Sequence, residues 1–359
     1  MRKTLLPLMI FSFWVAGCSQ APVEKGSMTE TTVSPADAPD WVSQPPKLAD
    51  SYDAVVSVAI QQDALEAKTQ AIALGAQKIH HQIRQDMAVQ NQKALVEAEK
   101  SYGPLEKRIR NRVRAELPSL ALLPPMVKAS YNDGKRMHVW LQISKQALMA
   151  QLATELMKLD QHLRNYIHVS EKGSNLSQLL SVLPALPTLE ARKMLRTELA
   201  FYAQREEKLP NDVLASLLDG FLSKKMEEVI VGMEPMTQES KDYEEMILAS
   251  MTKHGFNVTA RQPDLTIKFF VEPNFAIEKG QLKLTLIADG DMINSLGKTF
   301  ASVSRTYHAI DKSRKIAKQQ AIDAFTEDMT QAMIDASIGY MYKANQSAPL
   351  SDVLFKVED

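Results

Sequence analysis

Cys18 is the residue with the clearest chemical role, because its thiol is the only cysteine sulfur in the 359 residues. It follows a basic head, Arg2 and Lys3, and an apolar run over residues 5–16. A membrane-spanning helix needs roughly 20 apolar residues, so this run of about a dozen is too short for one. The order of basic, apolar and small residues instead predicts an export signal peptide over residues 1–17. A single cysteine also excludes a disulfide within the chain.

The residues around Cys18 add a second modification to this prediction. Val15-Ala16-Gly17-Cys18 resembles the bacterial lipobox, which implies a diacylglycerol on the Cys18 sulfur and cleavage between Gly17 and Cys18. Two or three acyl chains hold a protein at a membrane far more firmly than one, since each buried methylene contributes about 0.8 kcal/mol. In the sorting rule that accompanies the lipobox, Asp after the cysteine retains the protein at the inner membrane. Ser19 therefore implies an outer-membrane anchor facing the periplasm, with surface exposure left open. The alternative is a secreted protein with a chance cysteine.

Motifs for catalysis, metal binding and nucleotide binding are incomplete in this sequence. Ser295–Thr299 ends like a phosphate-binding loop, but Met292 occupies the position of the first required glycine. The residues after Lys298 predict a strand, where such a loop needs the start of a helix. His80 and His81 are adjacent, so they cannot form the i, i+4 pair that binds zinc on a helix. The chain has no Gly-x-Ser-x-Gly motif. We therefore expect a non-enzymatic protein with no cofactor and no metal.

A basic cluster on one predicted helix is a candidate partner-binding site. It consists of Lys107, Arg108, Arg110, Arg112 and Arg114. Such a cluster could contact an acidic partner or phosphorylated lipid head groups. The alternative is a solvated helix face that Glu106 and Glu116 partly neutralise. Over the whole chain, 42 Lys and Arg oppose 43 Asp and Glu, and this net charge of -1 gives no indication of nucleic-acid binding.

The elements that must position these residues fall into two units. Residues 18–37 are polar and lack an apolar period, which predicts a flexible tether. Residues 38–170 predict a β-α-α-β-β-α unit whose hairpin turns at Asn132–Lys135, where Asp-Gly supplies positive φ angles. Trp41 is expected to cover the sheet of this unit. Pro184 and Pro187 interrupt the next apolar segment, so residues 171–208 predict short helices that connect the two units.

The second unit, 209–342, predicts a sandwich of strands and helices. Three strand-like segments precede a long closing helix, and Asp289-Gly290-Asp291 predicts a turn between two of these strands. Residues 343–359 predict a tail. The fold class is therefore α+β, with two small mixed domains, each a sheet packed on long helices, joined by a helical connector.

A family resemblance covers about residues 37–150. Pro39-Asp40-Trp41, the strand from Tyr52 to Ile60, the alanine-spaced helix from Ala64 and the hairpin at Asn132–Gly134 resemble the LPP-twenty family of bacterial outer-membrane lipoproteins. That family includes flagellar ring proteins. The resemblance therefore implies a role in an assembly of the cell envelope, such as the flagellar base.

These observations together indicate an outer-membrane lipoprotein that acts as a non-enzymatic scaffold or assembly factor in the cell envelope. Its expected partners are the membrane, through the N-terminal lipid, and envelope proteins, including further copies of the chain. The alternative is a periplasmic regulator of a cell-wall synthase or a subunit of a secretion assembly.

Replacing Cys18 with Ser should give a chain that carries no lipid and is not cut at Gly17, because sulfur is the atom that is acylated. Labelling of cells with a radioactive fatty acid, followed by membrane fractionation, measures both properties. A labelled, membrane-bound Cys18→Ser chain would contradict the prediction.

Overall fold

Two β-sheets, each packed against long helices, form the body of the protein in the computed structural model. The structure describes residues 38–166, 173–204, 212–259, 262–278 and 280–345. One sheet has three strands and the other has five, which confirms the predicted α+β class. The predicted signal peptide and tether lie outside the described residues, as does the tail beyond residue 345.

The first sheet is antiparallel and has the strand order β1-β3-β2. The turn between β2 and β3 forms as predicted, because Gly134 adopts a φ of +86° and its backbone N donates to Asn132 Oδ1 at 2.8 Å. The Trp41 ring lies 6.4 Å from that of Trp140 on β3 and covers this part of the sheet. The elements up to residue 166 are α1 (Asp40–Ser43), β1 (Ser51–Ala59), α2 (Ala64–Ala98), α3 (Pro104–Glu116), β2 (Met126–Asn132), β3 (Arg136–Ser144) and α4 (Lys145–Leu163).

Small residues let α2 lie close to the first sheet. The helix begins after Asp63, whose side chain accepts a hydrogen bond from the backbone N of Leu65 at 3.0 Å. Ala71 and Gly75 then lie on its buried face. A Cβ at position 75 would overlap the side chain of Leu141 on β3. Glycine is therefore required for this distance between helix and strand.

The second sheet has the strand order β5-β4-β6-β7-β8. Strand β4 runs parallel to β5 and β6, whereas the β6-β7 and β7-β8 pairs are antiparallel. The closing helix α10 packs along β7 and β8. The elements of this half are α5 (Asn175–Val182), α6 (Leu186–Ala203), α7 (Asp212–Glu228), β4 (Ile230–Pro235), α8 (Gln238–Lys241), α9 (Glu244–Lys253), β5 (Asn257–Val258), β6 (Leu265–Glu278), β7 (Gln281–Asn294), β8 (Thr299–Asp311) and α10 (Arg314–Asn345).

The turn predicted at Asp289–Asp291 is wrong, because these residues lie inside β7 and pair with strands on both sides. Gly290 is required there by packing: a Cβ would lie 2.8 Å from Met329 Sδ and 2.9 Å from Phe325 Cζ on α10. The chain instead turns near Gly280 and Gly297, each with a φ of +75°. Packing of the sheet against α10 thus overrides a local turn signal.

Helix α6 connects the hydrophobic cores of the two sheets, and helix α3 packs in the second of them. Helix α3 precedes β2 in the chain, yet Ile109 and Val113 are buried in the core of the second sheet. Helix α6 buries Leu189 in that core and Leu195 in the core of the first sheet. The second core therefore contains a helix that the sequence places in the first unit.

The predicted connector is packed against both halves of the protein. The segment predicted as a connector, 171–208, contains α6, which packs against α2, α3, α4 and α7. The limits predicted for the units, 38–170 and 209–342, stay a prediction, and a cut at residue 170 would separate α3 and α4 from the helix they pack against.

Replacing Gly290 with Val should lower the free energy of unfolding by about 1–3 kcal/mol, because the larger side chain overpacks the contact with α10. The matched control is Gly220→Ala on α7, where an added Cβ meets no atom within 4 Å. That change should raise the free energy of unfolding by about 0.5–1 kcal/mol. Urea denaturation of both variants measures the difference, and equal midpoints would contradict the assignment of Gly290.

Candidate functional site

The lipid anchor predicted from the sequence lies outside the described residues. This applies to the acylated Cys18 and to the sorting residue Ser19, so both assignments stay predictions. Within the described ranges, no helix is both long enough and apolar enough to cross a bilayer. The same ranges contain no group of three His, Cys, Asp or Glu side chains placed to hold a metal ion.

The basic cluster lies on α3, and the structure divides it into buried and exposed members. The prediction that Arg110 contributes to a partner-binding face is wrong, because its side chain is 0% exposed. Arg110 follows Ile109, and both are buried on the inner side of α3. Glu190 and Asp219, which are distant in sequence, supply the carboxylates that allow a guanidinium to be buried there.

Arg110 is the centre of an ion-pair cluster between α3, α6 and α7. Its Nε donates to Glu106 Oε1 at 2.7 Å, and its Nη1 donates to Glu190 Oε1 at 2.5 Å. The same Nη1 lies 2.9 Å from Asp219 Oδ1. Nη2 donates to Ser223 Oγ at 3.2 Å. Each nitrogen of the guanidinium therefore has a partner from this chain.

Lys193 and Tyr102 complete this cluster, which we call the Arg110 cluster. Lys193 Nζ donates to Tyr102 Oη and to Asp219 Oδ1, both at 2.9 Å. The Arg110 guanidinium lies 4.5 Å from the centre of the Tyr102 ring, within the range of a cation–π contact. The cluster so defined contains Glu106, Arg110, Arg114, Glu190, Lys193, Asp219, Ser223 and Tyr102.

The electrostatics of the cluster favour charged side chains despite their burial. Burial alone would lower the pKa of Arg110, but Glu190 and Asp219 raise it above the usual value. The pKa of Lys193 is also raised, because the attraction of Glu190 and Asp219 outweighs burial and the repulsion from Arg110. Charges that remain ionised inside the protein make the contact between α3, α6 and α7 specific in its geometry.

The other four basic residues are also paired within the chain. Arg114 Nε donates to Glu190 Oε2 at 2.5 Å, and Arg108 forms a two-pronged contact with Glu327 on α10. Lys107 and Arg112 remain on the outer side and pair with acidic neighbours, Glu99 at 2.6 Å and Glu116 at 2.8 Å. A partner-binding role for Lys107, Arg108, Arg112 and Arg114 stays a prediction.

Sequence reasoning missed a Ser-His-Asp arrangement on the first sheet. Ser57 Oγ lies 2.6 Å from His138 Nδ1, and His138 Nε2 lies 3.2 Å from Asp133 Oδ2. Backbone hydrogen bonds from Arg136 and Lys135, followed by the bond to His138, lower the pKa of Asp133 to about 2. These contacts tie the hairpin turn to β1. The pairing register of β1 with β3 could have indicated these contacts, because it places Ser57 opposite His138.

A groove of about 600 Å³ lies between the C-terminal half of α2 and α6. Its lining includes small and apolar residues of both helices, such as Ala94, Leu95 and Ala200. Arg114 and Lys193 of the Arg110 cluster also line it. The groove therefore opens directly beside the ion pairs that join the two cores.

The chain shows little similarity to known proteins in sequence or in structure. No protein-family model matches the chain, and no curated protein sequence matches it. A minor lipoprotein from Acinetobacter baumannii is 11% identical and covers 30% of this chain and 91% of its own, with a TM-score of 0.25. The secreted protein HP1454 from Helicobacter pylori is 8% identical and covers 80% of this chain and 98% of its own, with a TM-score of 0.38. Matches of this quality carry no argument about the function of this chain.

Replacing Arg110 with Met should lower the free energy of unfolding by about 3–5 kcal/mol, because buried carboxylates lose their shared cation. The matched control is Arg112→Met, which removes a side chain that is 51% exposed and paired with Glu116. The control should change stability by less than about 0.5 kcal/mol. Urea denaturation followed by circular dichroism makes the comparison, and equal losses in both variants would contradict the buried cluster.

Proposed function

We propose that this chain is a lipid-anchored, non-enzymatic scaffold or assembly factor of the bacterial cell envelope, held at the outer membrane and facing the periplasm. The observation that carries this proposal is the single cysteine at position 18, preceded by a short apolar run and the lipobox-like Val15-Ala16-Gly17. A polar segment of 18–37 follows, which gives a folded body reach from the lipid surface.

The folded body supports a role in holding surfaces at fixed positions. Helix α6 enters both hydrophobic cores, α3 packs in the second, and the Arg110 cluster fixes both helices to α7. A second buried ion pair, Arg192 with Asp160 at 2.6 Å, links α6 to α4. Helices joined in this way keep the surfaces of the two sheets in one arrangement, as an assembly factor requires.

The outer edge of the second sheet supplies a surface for assembly contacts. Strand β8 is 13 residues long and pairs with β7 on one side, and no other described strand pairs with it. It offers about 44 Å of unpaired backbone groups at 3.4 Å per residue. Ile310 on this strand is 55% exposed. An edge of this kind can bind an extended segment of a partner by strand addition.

The partner is an envelope protein or a second copy of the chain. The resemblance of residues 37–150 to the LPP-twenty family supports a flagellar ring or a neighbouring structure as the assembly. A specific interface buries roughly 1,600 Å² in total, so the β8 edge would be supplemented by neighbouring surface. The four basic residues of α3 other than Arg110 are the proposed supplement.

Crosslinking in living cells, followed by separation of inner and outer membranes on a density gradient, tests this function. The chain and its crosslinked partners should be in the outer-membrane fraction. Ile310→Lys should remove the crosslinked species, because an exposed lysine on an edge strand disfavours strand addition. The matched control is Leu217→Lys on α7, where the native side chain is 66% exposed.

Three outcomes would contradict the proposal. Recovery of the chain in the inner-membrane fraction would remove the outer-membrane assignment. Identical crosslinked species from the Ile310→Lys and Leu217→Lys chains would remove the β8 edge as the contact. Turnover of any substrate by the purified protein would overturn the non-enzymatic assignment itself.

A further inference from the structure

The groove lies between α2 and α6, which pack side by side and run antiparallel. Tyr52 Oη bonds both Asp86 on α2 and Tyr202 near the end of α6, at 2.5 and 3.2 Å. Further along α2, Asn91 Nδ2 donates to Glu198 Oε1 at 2.5 Å. The groove lining extends over residues 88–98 of α2 and 190–203 of α6. At 1.5 Å per residue these segments are roughly 15–20 Å long, so the groove is elongated.

None of the described residues covers the apolar lining of the groove. The fully buried face of α2 ends at Met87, and the next residues on the groove side are exposed or only partly buried. Small side chains give the groove its depth, and larger apolar side chains form its walls. The apolar lining consists of Ala88, Ala94, Leu95, Met194, Leu199 and Ala200, among others. A volume of about 600 Å³ is within the range of sites that bind small molecules.

Charged side chains of the lining come from α3 and from residues 190–196 of α6. Arg114, Lys193 and Arg196 line the groove, and Glu190 is the one carboxylate among the described residues of the lining, so cations exceed acids there by three to one. Arg114 and Lys193 are held in place by the Arg110 cluster. Arg196 is the more available cation, since its side chain is 43% exposed and lies 3.3 Å from Asp212. The other described residues of the lining carry no charge.

Two buried polar atoms beside the groove have no hydrogen-bond partner among the described residues. They are Asn91 Oδ1 and Glu198 Oε2. Glu198 is 5% exposed, and burial raises its pKa to about 7. Asn91 lines the groove, and its neighbour Thr197 does so from α6. Unsatisfied buried polar groups are costly, so these atoms favour the polar end of an occupant, which places a head group near Arg196.

We propose that this groove binds a single-chain lipid with an anionic head group. The acyl chain lies along the alanine and leucine side chains of α2 and α6, where burial of its methylenes contributes affinity. The head group lies at Arg196 and Lys193, where a charge-assisted hydrogen bond holds it. Charged side chains in one part of the groove and uncharged ones at the other described positions of the lining match an amphiphile with one polar end. An amphipathic peptide helix would instead carry charged residues along its whole length.

Titration with cis-parinaric acid, a fluorescent fatty acid, tests this site on residues 19–359, which retain every residue whose structure is described. We expect saturable binding. Arg196→Gln should weaken it by roughly tenfold or more, because the head group loses a charged hydrogen-bond donor. Ala94→Phe should abolish binding, because the added ring fills the groove. If Ala94→Phe does not fold, Ala200→Phe, which fills the groove from α6, takes its place.

The controls separate the groove from the remaining surface. Ala324→Phe, at an exposed position of α10, should leave binding unchanged. Palmitate and a lysophospholipid with an anionic head should each displace the probe, and the stronger competitor identifies a free fatty acid or a phospholipid as the source. Hexadecanol, a neutral chain of the same kind, should compete at least tenfold more weakly than palmitate.

Three results would overturn the proposal. They are unsaturable binding of the probe, equal competition by hexadecanol and palmitate, and retained binding in folded Ala94→Phe and Ala200→Phe chains. Each of these tests is independent of the crosslinking experiment, because it measures lipid binding by the purified chain and not assembly in cells.

Discussion

The buried guanidinium of Arg110 is the constraint on which the rest of the structure depends. A charge without exposure to water is tolerated only where carboxylates and hydrogen-bond acceptors surround it, and Glu106, Glu190 and Asp219 do so. These acids come from three different helices, so the cation forces α3, α6 and α7 into one arrangement. Because α6 carries apolar residues into both cores and α3 carries them into the second, the ion pairs help to determine how the two sheets are joined.

This junction links the two proposed properties of the protein. A scaffold needs surfaces that keep their relative positions, and a charged cluster with fixed partners provides geometric specificity as well as energy. The same cluster presents Arg114 and Lys193 to the groove between α2 and α6. A lipid head group bound there would contact side chains that also hold the cores together, so occupancy of the groove would stabilise the junction by mass action. The lipid site and the scaffold would then be coupled through the same helices.

Local signals in the sequence predicted much of the fold. The hairpin at Asn132–Gly134 was predictable because its turn depends on the φ angle of one glycine and on one neighbouring side chain. The Asp289–Asp291 turn failed because the same kind of signal is overridden by α10, which packs against Gly290. The burial of Arg110 was not predictable, since Glu190 lies 80 residues away and only the folded chain brings them together. The Ser57–His138 contact likewise depends on strand register.

The central claim is that the Arg110 cluster joins both cores into one cooperative unit. A comparison of two urea unfolding curves, one followed by tryptophan fluorescence and one by circular dichroism, tests this claim. Trp41 and Trp140 lie together against the first sheet, so their fluorescence reports its unfolding, whereas circular dichroism reports helices of both halves. In urea the two signals should change at the same midpoint in the unaltered chain and separate in Arg110→Met. Separate midpoints in the unaltered chain, or coincident ones in Arg110→Met, would contradict the claim.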